Sequence, residues 1–212
     1  DTIVFKPASI TPLCAAKLVE ILIEAGVPAG VINFVTGSGS VVGREIAENP
    51  RVRVVSFTGG VPTGIDIYSR AAKLLKPVHL ELGGKNPQIV MDDANIDLAV
   101  DGVLFGAFGT AGQRCTATSR LIIHKNVYDE VMDKLLARVK AMKMGDPTDP
   151  KIDIGPVSSD DQEKKILEYI QIGLNEGAKL ICGGKKVTGG EFDKGYFIEP
   201  TIFEAVQGMR IT

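Results

Sequence analysis

The chain has 212 residues and a nearly balanced charge, with 24 Lys and Arg against 26 Asp and Glu, and 44% of its residues are hydrophobic. Because the sequence has no basic stripe and no long apolar run, we expect neither a nucleic-acid partner nor a membrane span. Three widely spaced cysteines and two histidines provide no disulfide framework and no metal site. We therefore expect a protein of a reducing compartment, the cytoplasm, that acts on small molecules.

The first 83 residues alternate short apolar runs with amphipathic stretches. Thr11 and Pro12 are typical of a helix start, and Gly26 is typical of a helix end. Strands and helices that alternate through short glycine-containing loops predict a parallel sheet covered by helices, with ligands at the carboxyl ends of the strands. The predicted strands are 2–5, 31–35, 52–57 and 78–82, and the predicted helices are 12–26, a short one ending near 48, and one ending near 75.

A second α/β pattern begins near Gly84 and continues to the end of the sequence. A connector rich in proline and aspartate, 145–156, divides it. Apolar, strand-like stretches lie at both ends of the chain, so we expect these ends to be cuts within a larger fold. The predicted strands are 87–91, 121–124, 179–182 and one near 201–203, and the predicted helices are 96–108, 127–142 and 162–173.

Two residues have the chemistry of a catalytic base and nucleophile. Glu81 ends an apolar strand before two glycines, where a carboxylate is poorly placed for solvent; the ordinary alternative is a carboxylate paired with lysine or capping a helix. Cys115 follows a glycine-rich turn beside Arg114, a setting that is open to a substrate and electropositive enough to favour thiolate. Cys14 and Cys182 are instead expected to be packed as small apolar side chains.

The segments around these two residues resemble the same family. Glu81 opens the run ELGGK, and the run GQRC ends at Cys115, 34 positions later. Together they resemble motifs of the aldehyde dehydrogenase superfamily. The likeness covers essentially the whole chain and includes Lys6-Pro7, 57–64, Gly155-Pro156, 164–167 and 199–201.

The resemblance implies hydrolytic, NAD(P)-dependent oxidation of an aldehyde to a carboxylic acid. Cys115 would attack the aldehyde as thiolate to form a hemithioacetal, and loss of hydride would leave a thioester. Glu81 would activate the water that hydrolyses this thioester, and the backbone N–H of Cys115 would supply half of an oxyanion hole. The implied fold is a parallel, Rossmann-like sheet portion that forms the C-terminal half of the dinucleotide-binding domain (1–83), followed by the N-terminal part of an α/β catalytic domain (84–212).

The resemblance also implies a site for NAD or NADP. Lys6 would bind ribose hydroxyls of the adenosine half, Gln162 would reach the nicotinamide ribose, and the helix after Gly59 would face the pyrophosphate. Ser9 stands where many NAD-preferring members have glutamate, so we expect NADP to be tolerated; Gly60 stands where serine is usual, so a hydroxyl contact to phosphate is lost. The other implied cofactor residues are Gly39, Gly43, Phe57 and Leu82, although turn-making alone also accounts for the glycines.

Several features of the family lie outside the matched motifs. Family members carry an upstream asparagine of the oxyanion hole, a downstream Glu-x-Phe-Gly-Pro motif and an oligomerisation hairpin. We therefore expect negligible activity from the 212-residue chain alone and a homodimeric or homotetrameric parent enzyme.

Two alternative functions and the substrate stay open. A CoA-acylating relative would typically lack Glu81, whereas a non-catalytic structural or binding protein would have no need of Cys115. The run 109–116 resembles the semialdehyde-oxidising antiquitin branch, and 164–184 resembles the broad aliphatic and retinal-type branch, so the aldehyde is not predicted.

Overall fold

A computed structural model describes residues 1–212, and the chain separates into a first unit, Asp1–Gly83, and a second unit, Gly84–Thr212. In the first unit, parallel strand pairs alternate with helices, which confirms the predicted α/β class, although the strands form two separate pairs. The pairs are β1 (Ile3–Phe5) with β2 (Ile32–Phe34) and β3 (Val55–Gly59) with β4 (Val78–Leu82); the helices are α1 (Pro12–Glu24), α2 (Arg44–Glu48) and α3 (Val61–Ala72).

The core of the first unit is small. Ala47 of α2, Val55 of β3 and Ile67 of α3 form its buried cluster, against which half-buried apolar side chains pack. Gly64 of α3 is buried because the side chain of Leu82 lies where a β-carbon would otherwise stand, with Leu82 Cδ2 only 2.7 Å from that position. A helix with a glycine at this point can approach the strand closely.

Several element boundaries of the first unit differ from the prediction, and the differences at β3 and before α2 are the clearest. Strand β3 begins at Val55, three residues later than predicted, because its first pairing partner is Val78 and its first N–H donates to the carbonyl of Pro77. A π-helical turn at Gly39–Gly43 precedes α2 and replaces part of the predicted regular helix.

The second unit also contains a parallel strand pair followed by helices. Strands β5 (Asn86–Val90) and β6 (Thr118–Ile123) are parallel, and β7 (Lys179–Cys182) and β8 (Ile202–Glu204) are antiparallel. Side-chain oxygens of Asn95 and Ser159 cap two of the helices, as their residue types favour. The helices are α4 (Ile96–Phe108), α5 (Tyr128–Ala141) and α6 (Asp160–Asn175).

Helices α4 and α5 pack on β5 to form the larger core of the chain. The buried residues of α5 recur every four positions, so one face of the helix is apolar. The cluster consists of Val90, Val100, Val103, Leu104, Val131, Leu135 and Val139. None of the helices combines the length and apolarity that crossing a membrane requires.

Candidate active site

Cys115 lies in a loop between α4 and β6, here called the cysteine loop (Gly109–Ala117), and its side chain is exposed. After Gly109, three consecutive residues of the loop lie in the left-handed region, Thr110 (φ 53°), Ala111 (φ 52°) and Gly112 (φ 69°). Threonine and alanine rarely adopt this conformation, which costs about 1–3 kcal/mol per residue. Strain of this kind persists only where the surroundings fix the backbone.

Arg114 anchors the cysteine loop to the end of α4. Its guanidinium donates to the carbonyls of Phe105 and, at 3.2 Å, of Gly106, and lies 4.4 Å from the centroid of the Phe105 ring. A cation at the C-terminal carbonyls of a helix is favourable. The hydrogen bonds of Arg114 thus go to the helix rather than to the Cys115 thiol, which differs from the role that its position in the sequence suggested.

Two further side chains fix the cysteine loop, and the sequence interpretation missed both. Asn86, the first residue of β5, donates through Nδ2 to the carbonyls of Cys115 (2.7 Å) and Ala117 (3.1 Å). Gln113 accepts from the backbone N–H of Ser158 at 2.9 Å through Oε1. The available signal for Asn86 was the Asn-Pro pair, which is typical of an irregular backbone rather than of a regular strand.

The backbone N–H of Cys115 has no acceptor within the chain, and neither do those of its immediate neighbours Arg114 and Thr116. The N–H of Gln113 donates to Thr110 and that of Ala117 to Arg114, both at 3.1 Å. An unpaired N–H on a residue with an exposed thiol can donate a hydrogen bond to an oxyanion that forms on the same residue.

The other two cysteines lie in different surroundings. Cys182 is half-buried, and burial raises the pKa of its thiol. Cys14 is exposed, so the expectation that it is packed was wrong; the only residue that α1 buries is Val19. Exposure by itself therefore does not distinguish Cys115 from Cys14, whereas the anchored loop does.

Glu81 lies in β4 of the first unit, opposite Thr58 in the register, and its side chain is exposed. The expectation that it is poorly placed for solvent was therefore wrong. Successive side chains of a strand point to opposite faces, and the half-buried positions of β4 are those of Val78, Leu80 and Leu82. Cys115 lies in the second unit.

The residues assigned to the adenosine half of the cofactor follow β1 and β2. Lys6 and Ser9 come after β1; Lys6 is half-buried and donates to the carbonyl of Pro7, whereas Ser9 is exposed. Gly39 and Gly43 begin and end the π-helical turn after β2. Because β1 and β2 are parallel, both segments begin at the same edge of this strand pair.

The residues assigned to the pyrophosphate region differ in their surroundings. Gly60 is the N-cap of α3, and no side chain caps this helix end. Phe57 packs against the core of the first unit and lies over Gly59, and Leu82 packs against α3. Gln162 lies in the second unit, in the first turn of α6, where it is half-buried and its backbone N–H donates to Ser159 Oγ at 3.2 Å.

Comparisons with a family profile and with individual proteins point to the same family. The profile of the aldehyde dehydrogenase family matches residues 1–212. A 1-pyrroline-5-carboxylate dehydrogenase of Bacillus subtilis is 46% identical over 212 residues, 97% of this chain and 40% of the relative. An alpha-ketoglutaric semialdehyde dehydrogenase of the same species is 44% identical over 206 residues, 97% of this chain and 42% of the relative.

A solved structure agrees with these sequence matches. Betaine aldehyde dehydrogenase of Staphylococcus aureus in complex with NAD+ has a TM-score of 0.95 and 40% identity, and the match covers 99% of this chain and 42% of that chain. The chain thus spans about two fifths of the length of the proteins that it matches.

Proposed function

Because the chain belongs to the aldehyde dehydrogenase family, we propose that the complete protein oxidises an aldehyde to a carboxylic acid with NAD+ or NADP+. The proposal rests on the cysteine loop. In this loop the Cys115 thiol is exposed, and hydrogen bonds of the Asn86, Gln113 and Arg114 side chains fix the backbone. The unpaired N–H of Cys115 supports a role in stabilising an oxyanion.

The chemistry proposed for the chain's residues has two stages. In the first, the Cys115 thiolate attacks the aldehyde carbon, and the Cys115 N–H donates to the oxygen of the resulting hemithioacetal. Bound NAD(P)+ supplies the acceptor for the hydride that leaves this carbon, so that Cys115 then carries a thioester. In the second stage, Glu81 takes a proton from a water molecule, which hydrolyses the thioester to the acid and releases the thiol. The exposure of Glu81 is compatible with access of water to this carboxylate.

The first unit carries features that fit a dinucleotide. The uncapped N-terminus of α3 leaves backbone N–H groups free, and such groups favour a pyrophosphate. Lys6 would bind ribose hydroxyls of the adenosine half, together with the turn between Gly39 and Gly43. Ser9 carries no charge that would repel a 2′-phosphate, so we propose that NADP+ is accepted beside NAD+. Phe57 and Leu82 would contribute by holding β3 and β4 against α3, since their side chains pack inside the unit.

The names of the relatives define the first aldehydes to test. The panel consists of alpha-ketoglutaric semialdehyde, betaine aldehyde and 1-pyrroline-5-carboxylate, a cyclic imine whose hydrolysed, ring-opened form is the aldehyde. We propose a homodimer or homotetramer for the complete enzyme. The presence of Glu81 favours a hydrolytic enzyme over a CoA-acylating one, and retention of both Glu81 and Cys115 favours an enzyme over a non-catalytic protein of the same fold.

The test is NAD(P)H formation from this panel by the complete protein, whose intact mass is measured on the same sample. We expect Cys115→Ser to abolish turnover. Glu81→Gln should lower kcat by about 10²–10⁴-fold and let the thioester accumulate, visible as added mass on the protein. Full turnover by Cys115→Ser would exclude the proposed nucleophile, and a strict requirement for CoA would exclude the hydrolytic reaction.

A further inference from the structure

The orientation of Cys115 depends on few contacts of its own residue. Its side chain is exposed, its N–H has no acceptor within the chain, and its carbonyl accepts no backbone hydrogen bond. The carbonyl accepts one hydrogen bond, from the side-chain amide of Asn86 at 2.7 Å. The direction in which Cys115 presents its thiol is therefore set mainly by whatever fixes the backbone around it.

Asn86 makes two such bonds with a single amide. Its Nδ2 also donates to the carbonyl of Ala117 at 3.1 Å, so that one side-chain nitrogen holds the first and third of three consecutive residues. An amide NH2 has two N–H groups and can serve two acceptors at once. These bonds fix the peptide plane that follows Cys115 and, with it, the ψ angle of Cys115.

The backbone places Asn86 for this role. Asn86 pairs with Thr118 in the β5–β6 register, and the register shifts between Asn86 and Pro87. Proline has no N–H to donate to the ladder, and irregularities of this kind redirect side chains near functional sites. The shift therefore occurs at the residue that reaches the cysteine loop, while the rest of β5 stays paired with β6.

We propose that Asn86 is a positioning residue, whose amide orients the Cys115 backbone so that the thiol and the free N–H meet the substrate carbonyl together. This inference rests on the proposed function, because the carbonyl is that of the aldehyde. Arg114 fixes the preceding residue to α4, so the N–H of Cys115 lies between two anchored points. Misplacing a reacting group by about 1 Å can cost roughly 100-fold in rate.

The chain offers a matched control in Asn33. Its Nδ2 also donates to two backbone carbonyls, those of Ile3 (3.3 Å) and Gly30 (3.0 Å). Asn33 lies in β2 of the first unit and has no proposed catalytic or cofactor-binding role. Asn33→Ala therefore removes the same kind of side-chain contact from another part of the chain. Asn86→Asp keeps the volume of the side chain but replaces the donor with an ionised acceptor that repels both carbonyls.

The experiment compares Asn86→Ala, Asn86→Asp and Asn33→Ala in the complete protein, with three readouts. These are kcat and KM for NAD+ with the best aldehyde of the panel, the rate at which iodoacetamide alkylates Cys115, and the melting temperature. We expect both Asn86 variants to lower kcat by about 10- to 100-fold, with KM for NAD+ and the alkylation rate within about twofold of wild type. Asn33→Ala should leave kcat within about twofold.

Three results would overturn the inference, and they differ in what they leave standing. If the wild type acts through Cys115 but the Asn86 variants match Asn33→Ala in kcat, Asn86 has no positioning role and the proposed function survives. A lower kcat with faster alkylation and a larger loss of melting temperature than in Asn33→Ala would mean that the cysteine loop unfolds, so that Asn86 is structural only. Aldehyde oxidation that persists in Cys115→Ser would overturn the proposed function and this inference together.

Discussion

The two units begin with the same parallel α/β pattern but stabilise it differently. The core cluster of the first unit has three buried residues, whereas that of the second has seven, contributed by β5, α4 and α5. The first unit supplements its small core with charged side chains, Lys76 and Arg70, that tie α2 to the region of α3. The strained cysteine loop is thus attached to the unit with the larger core, as a preorganised nucleophile requires.

Removal of a central side chain from the larger core should have the greatest effect. Leu135 of α5 is 1% exposed and belongs to that cluster, so Leu135→Ala should lower the free energy of unfolding of the second unit by about 2–5 kcal/mol. Leu98 of α4 is 69% exposed, and Leu98→Ala should change it by no more than about 0.5 kcal/mol. Amide hydrogen exchange of α5 in the 212-residue chain measures both. Equal effects would mean that the cluster does not carry the stability of this unit.

In the first unit, replacement of Lys76 should lower stability by nearly as much as replacement of a core residue. Lys76 Nζ donates to the carbonyls of Ala47 (2.8 Å) and Asn49 (2.6 Å) at the end of α2. Lys76→Met leaves these carbonyls without that donor and should cost the first unit about 1–3 kcal/mol. Lys73→Met is the control, since Lys73 is exposed. Hydrogen exchange in α2 and β3 compares the two variants. Equal losses of stability would show that the Lys76 hydrogen bonds contribute nothing.

The ends of two helices allow opposite substitutions, one in each unit, and each should change the free energy of unfolding by up to about 1 kcal/mol. The helices α3 and α6 both end in a Schellman motif, in which Lys76 N–H donates to Ala71 and Ala178 N–H to Gly173. The left-handed position is Leu75 (φ 53°) in the first and Gly177 (φ 85°) in the second.

Glycine adopts this conformation at no steric cost, so Leu75→Gly should stabilise the first unit by up to about 1 kcal/mol. Gly177→Ala should destabilise the second by about the same amount, because no atom lies within 4 Å of the added β-carbon and only the backbone conformation changes. Thermal unfolding of both variants tests this. A loss of stability in Leu75→Gly would mean that the 91% exposed leucine makes contacts that outweigh its strain.

Leu75 also shows why sequence predicted some boundaries and not others. The end of α1 was predicted from Gly26, which is left-handed in the structure, whereas α3 ends at Ala72 without a glycine signal and was predicted to continue to 75. Strands whose apolar run coincides with their pairing, such as β4 and β7, were predicted with the bounds that the structure has. Strand β6 begins three residues before its apolar run, because Thr118 pairs with Asn86.

In the candidate site, too, some residues could be predicted from the sequence and others could not. Cys115 and Glu81 have reactive side chains within recognisable motifs, so sequence could nominate them, and their roles stay predictions. The anchors of the cysteine loop could not be nominated, because Asn86 and Arg114 act on backbone carbonyls that are near them only after folding. The left-handed conformation of Thr110 and Ala111 likewise runs against the preference of these residue types, so residue type could not predict it.

The smallest expected effect concerns the salt bridges that Glu48 and Asp66 form with arginines in the first unit. Arg70 donates to Glu48 and, at 2.8 Å, to Asp66, and Glu48 also accepts from Arg44 at 2.9 Å. Hydrogen bonds from Arg44 and Arg70 lower the pKa of Glu48, and the bond from Arg70 lowers the pKa of Asp66. A carboxylate with a lowered pKa in the folded state stabilises that state above its unfolded pKa and loses this contribution as the pH falls toward the folded value.

The melting temperature of the wild-type chain should therefore fall as the pH drops below about 4.5, the upper end of the ordinary carboxyl range. In Arg70→Leu this fall should be shallower, because its carboxylates titrate nearer to their unfolded pKa values. Arg51→Leu removes the same charge from an exposed arginine that forms no salt bridge and should keep the wild-type slope. The difference should be smaller than the other effects, since solvent screens these partly exposed pairs. Parallel curves for all three proteins would mean that the ion pairs of Arg70 do not stabilise the first unit, and Lys76 alone would then supplement its small core.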